Sequence, residues 1–221
     1  MNVIAGRPYQ ISQADLRYWL VAGEDSQLRG IQKLRRAKRW LDSSTRVAQS
    51  WTVEDEGLKE MLEFSWPHWD KPFSFDLGGR FRGTEHGGKM FVAEVKGYRA
   101  EYDLSSHFQS FLAKCYVALS SRPKRCDHFM WISWAPFQAR HWDQHPTVDS
   151  VKNAVLKESK RIFDTEDPHV AELRLDAGTL TGVAQRLWLI TLCDKQENLV
   201  IADNHYRDVV SLMLAEERAA L

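Results

Sequence analysis

Alternation of apolar and polar residues is sharpest in two stretches of the chain. In Met90-Phe91-Val92-Ala93-Glu94-Val95-Lys96 a period of two sends Phe91, Ala93 and Val95 to one face and Glu94 with Lys96 to the other. Phe73-Ser74-Phe75-Asp76-Leu77 alternates in the same way, with Asp76 opposite the apolar side chains. Gly78, Gly79, Gly83, Gly87 and Gly88 lie between the two runs and supply turns, so the pattern predicts a hairpin that brings Asp76 near Glu94.

Helical spacing governs the flanks. Thr52 to Phe64 places Val53, Gly57, Leu58, Met61 and Leu62 on one apolar face, with Glu56 and Glu63 opposite. Glu54 falls in the middle of that face, where a carboxylate is costly unless it is paired or reaches a cation; in a first turn it is equally a solvated residue favoured by the helix dipole. After the hairpin, Ser105 or Ser106 caps a helix whose stripe is Phe108, Phe111, Leu112, Cys115 and Leu119, with Gln109 and Tyr116 at its edge. His128 to Trp134 reads as a strand, Val148 to Phe163 as a helix, Arg186 to Cys193 and Leu199 to Ala202 as strands, and His205 to Ala219 as a last helix. The order predicts a mixed α/β fold. Residues 11 to 49 are mainly helical, so a helical N-terminal extension over 1–50 is expected before a domain over 51–221.

Composition narrows the class. The 221 residues are 43% hydrophobic and 27% charged, enough to bury a core and too apolar for a disordered chain. No apolar run approaches the roughly 18 residues that cross a membrane, and MNVIAGRPYQ does not start a secretory signal. Cys115, Cys126 and Cys193 lack metal-ligand spacing, which fits a reducing compartment, so a cytoplasmic protein is expected. Basic and acidic residues number 30 each, so any attraction for a polyanion depends on distribution. The stretch Leu28 to Leu41 carries Ile31, Leu34, Ala37 and Leu41 on one side and Arg29, Arg36 and Arg39 on the other, a stripe that suits phosphates or an acidic partner.

Asp76 followed by Glu94-Val95-Lys96, on strands with helices either side, resembles the PD-(D/E)XK nuclease superfamily over about residues 51 to 135. The resemblance implies a restriction-endonuclease-like core in which a mixed central sheet is flanked by helices. It also implies a nuclease that hydrolyses DNA with Mg2+, for which Mn2+ substitutes, held by Asp76, Glu94 and the Val95 carbonyl. Lys96 would assist the attacking water, Glu54 would hold a metal-bound water or a second ion, and Gln109 would position the substrate. Hard oxygen ligands suit Mg2+, and a cation beside an ammonium can activate water and offset charge on phosphorus. Members of the family serve restriction, phage defence or mobile-element processing, and cutting both strands takes two sites, so a homodimer or a larger complex is expected. The alternative is a non-catalytic nucleic-acid-binding or assembly subunit that keeps the fold.

Two other motifs fail on context. Gly83 to Lys89 meets the spacing of a P-loop, but Met90 stands where the hydroxyl is needed and a strand follows in place of a helix. His141 and His145 are four apart, yet Pro146 follows at once and favours a loop.

Overall fold

The computed structural model describes residues 30–97, 104–136 and 139–219. Helix α1 (30–42) leads into β1 (Val47–Thr52), and after the short helix α2 (Lys59–Leu62) come β2 (Glu63–Ser65), β3 (Pro72–Ser74), β4 (Leu77–Phe81) and β5 (Met90–Lys96). Helix α3 (Leu104–Ser121) then leads to β6 (His128–Ser133), followed by α4 (Val148–Lys157), α5 (Ser159–Phe163), α6 (Pro168–Leu173), α7 (Ala177–Arg186), β7 (Leu187–Thr191) and α8 (Asp203–Ala219). The main sheet runs β1-β4-β5-β6-β7, antiparallel as far as β5 and parallel beyond it, while β2 and β3 form a separate two-stranded ribbon. The mixed α/β class expected from the sequence is the one found.

Alternation sorts the core into two layers. Phe91, Ala93, Met130 and Ile132 face α1, where Leu34, Ala37 and Leu41 cover them. Val92, Phe129 and Trp131 face the opposite way, against Phe108, Phe111, Leu112 and Cys115 of α3 and Val151, Ala154 and Val155 of α4. β6 is apolar on both sides because parallel strands under two helical layers have no solvated face.

Several expectations change. Residues 52 to 64 are not one helix: β1 runs to Thr52, a turn with Gly57 at φ +78° follows, and only Lys59–Leu62 is helical. Asp55 accepts hydrogen bonds from the Thr52 N–H at 2.6 Å and its hydroxyl at 3.2 Å, a local pairing that competes with helix formation. The helix ahead of the sheet is therefore α1, and β1 adds an edge strand antiparallel to β4. The boundary expected at residue 50 falls inside β1, and α1 covers one face of the sheet, so 30–50 is built into the same layers as the rest.

Phe73 to Leu77 likewise divides. Phe73 pairs in the ribbon, Leu77 pairs in the main sheet, and the chain crosses between them at Phe75 and Asp76, whose N–H groups donate to Leu62 O and Ala93 O at 3.0 Å each. Gly78 and Gly79 are strand residues, not turn residues: a Cβ on Gly79 would lie 2.3 Å from the Phe91 ring and 2.7 Å from the Gln49 carbonyl oxygen. The turn itself uses Gly83 and Gly88, with φ +99° and +79°. The helix expected over 148–163 breaks at Glu158, and Leu199 to Ala202 is not a strand, because residues Gln196–Leu199 form a 3-10 turn. Helices α6 and α7 escaped the apolar pattern, although Asp167 and Asp176 cap them. No helix among the described residues is long and apolar enough to cross a membrane.

Candidate active site

β5 puts Glu94 and Lys96 on the face of the sheet that meets α3, as period two requires. Glu94 is 6% exposed, and the Lys96 ammonium donates to its Oε1 at 2.7 Å. Asp76 arrives from the neighbouring chain just ahead of β4 and is fixed by the backbone of β5: its N–H donates to Ala93 O, and its Oδ2 accepts the Val95 N–H at 2.7 Å. Asp76, Glu94 and Lys96 thus come together as the sequence predicts. Val95 joins them through its N–H, whereas the resemblance implied its carbonyl.

A fourth group completes the cluster. From α3, the Lys114 ammonium donates to Glu94 Oε2 at 3.2 Å and Oε1 at 3.4 Å, and to the Ser74 carbonyl oxygen at 3.4 Å. The apolar stripe of this helix does not single it out. Its signal was that Lys114 is the one Asp, Glu, Lys or Arg in the α3 sequence LSSHFQSFLAKCYVALSS; its target became visible only once α3 lay against Glu94.

The two carboxylates differ in proton affinity. Burial, then the charge of Glu94, pushes Asp76 up to about 6, against the opposing pull of Lys96, the Val95 N–H and Lys114. Burial also raises Glu94, but Lys114 and Lys96, through charge and hydrogen bonds, outweigh it and hold Glu94 below the usual carboxylate range. One carboxylate of the pair is stably ionised and the other is poised to take a proton, the arrangement expected when like charges share a site. A divalent cation would relieve that repulsion, and Mg2+ needs only one or two carboxylates because it keeps its waters. The donor set therefore fits Mg2+ in kind. Among the described residues no three His, Cys, Asp or Glu side chains are grouped to hold a metal ion.

Other expected residues lie apart. Glu54 sits on the turn after β1 and pairs with Arg35 at 3.4 Å. Gln109 accepts a hydrogen bond from Lys157 of α4. Of the basic stripe, Arg36 is bound to Asp194 at 2.7 Å and lies over the Trp134 ring at 5.6 Å, Arg39 is exposed beside a cleft of about 310 Å³, and Arg29 lies outside the described residues.

No family model matches the chain, and no curated protein matches it. Among solved structures, the chain is similar to one described as the Moraxella osloensis Cap4 SAVED/CARF-domain containing receptor, with a TM-score of 0.32 and 7% identity. The match covers 82% of this chain and 35% of that one, so the chain spans about a third of the receptor's length.

Proposed function

We propose that the chain is a Mg2+-dependent nuclease that hydrolyses phosphodiester bonds in DNA, acting as a homodimer or within a larger complex. The observation that carries this reading is the convergence of Asp76, Glu94 and Lys96 at one point between β4 and β5. Asp76 and Glu94 would hold the cation, and Mn2+ would substitute for it. When bound, the cation supplies Lewis-acid polarisation of the scissile phosphate and acidifies water. The chain's own groups do the rest. The Val95 N–H and the Ala93 carbonyl fix the Asp76 backbone and side chain against β5, and the Lys96 ammonium donates a hydrogen bond that orients the attacking water or offsets charge on the phosphate oxygens. The unpaired cysteines, Cys115 and Cys126 buried and Cys193 exposed, support placing it in the cytoplasm.

One observation favours a second reading, that of a non-catalytic nucleic-acid-binding or assembly subunit. Glu94 already carries two ammonium partners, so its charge is matched without a metal ion. Incubating the full chain with circular, linear and single-stranded DNA decides between them. Cleavage of at least one substrate with Mg2+, abolished by chelator and by Glu94→Gln in a folded protein and retained in the Arg35-paired control Glu54→Gln, is the expected result. Binding without cleavage in either Mg2+ or Mn2+ would establish the second reading instead.

A further inference from the structure

The requirement for a cation and an activated water does not account for Lys114. It projects from a helix with no other Asp, Glu, Lys or Arg, between the buried residues Ala113 and Cys115, and its side chain is only 18% exposed. An ammonium in such surroundings must be matched by acceptors. Lys114 has three contacts within hydrogen-bond distance, two to Glu94 and one to the Ser74 carbonyl oxygen. Lys96 meets the same carboxylate at 2.7 Å, so Glu94 holds two positive charges, whereas Asp76 is held by a backbone N–H. When Glu94 turns to a cation, Lys114 loses its anion and keeps the single carbonyl. A phosphate oxygen of the substrate is the anion that the proposed reaction brings to that place.

We propose that Lys114 is a second catalytic ammonium, which holds Glu94 in the substrate-free protein and passes to a phosphate oxygen when the cation takes Glu94. The inference rests on the nuclease reading above. It gives Lys114 effects of opposite sign on two quantities: it opposes binding of the cation and promotes turnover.

Calorimetric titration of the full-length chain with Mn2+ alone reads the first quantity without activity. Lys114→Met and Lys114→Gln should each bind Mn2+ about tenfold more tightly than the parent, since a unit charge a few ångströms from the ion is removed, and Lys114→Arg should stay near the parent. At saturating Mn2+, kcat for DNA cleavage should fall about a hundredfold in both neutral variants and recover in part in Lys114→Arg. Unchanged or weaker Mn2+ affinity in the two neutral variants overturns the role as counter-ion, and unchanged kcat overturns the contact with phosphate. Two neutral variants guard against a folding defect in one. Asp76→Asn separates the failures: if it binds Mn2+ as the parent does, or if the parent binds none, it is the assignment of the metal site that falls.

Discussion

At Asp76 the chain accepts a cost that a structural role does not explain. The side chain is driven up to about 6 by burial and by Glu94, while an aspartate in the unfolded chain titrates at about 4. Between those values the native state holds a proton that the unfolded state has released. Stability therefore falls as pH rises through this window, and at neutral pH the ionised Asp76 works against folding. Asp76→Asn keeps an oxygen to accept the Val95 N–H and removes the charge. In chelator it should melt above the parent at pH 7.5, with the difference shrinking as the pH is lowered toward 4 and absent there. Thermal unfolding at several pH values reads this directly, and a variant less stable than the parent at pH 7.5 would mean that Asp76 is held by favourable charge instead. A substitution that stabilises the fold while abolishing cleavage is the pattern expected of a strained functional group.

At the scale of elements, β4 decides how close Asp76 comes to β5. Gly78 and Gly79 let the strand pass against the Phe91 ring, Leu62 and Trp51 with no room for a side chain. Gly79→Ala would push on the buried Phe91 ring and on the Gln49 carbonyl of β1 together, and overpacking of this kind costs about 1–3 kcal/mol. Urea unfolding should show that loss, with part of it recovered in the double variant Gly79→Ala, Phe91→Leu, because the atoms nearest the new methyl are then gone. Failure of the second substitution to recover anything would place the strain on the β1 backbone. These glycines also mark the limit of what the sequence discloses. Glu94 and Lys96 were legible because the two faces of a strand are set by residues two apart, and Asp76 because its neighbours alternate. The double glycine looked like a turn because its reason, close approach of a ring from another strand, is not local. β1 was hidden for the same kind of reason: VAQSWT has no clean alternation, being buried at Ser50, Trp51 and Thr52 in succession, and only its pairing with β4 makes it a strand.

Across the whole molecule, 30 basic and 30 acidic residues cancel, and several cations of the α1 surface are already matched: Lys33 and Arg36 by Asp194, Arg35 by Glu54, Lys38 by Asp42. The stripe legible in the sequence is thus partly a set of internal contacts, which one helix taken alone could not reveal, because Asp194 lies 158 residues beyond Arg36. Affinity for DNA should therefore rest on few phosphate contacts and depend only weakly on salt. Arg39 and Arg36 separate the two uses of the stripe. If the exposed Arg39 meets a phosphate, Arg39→Gln should flatten the slope of log affinity against log salt by about 0.9 on duplex DNA. Arg36→Gln should leave the slope alone and lower the melting temperature slightly, since it loses Asp194 and the Trp134 ring, which tie α1 to the far ends of β6 and β7. Fluorescence anisotropy across a salt series measures both. Equal slopes for Arg39→Gln and the parent would remove α1 from the nucleic-acid surface, and loss of self-association in the same variant would assign that face to contact between two copies of the chain.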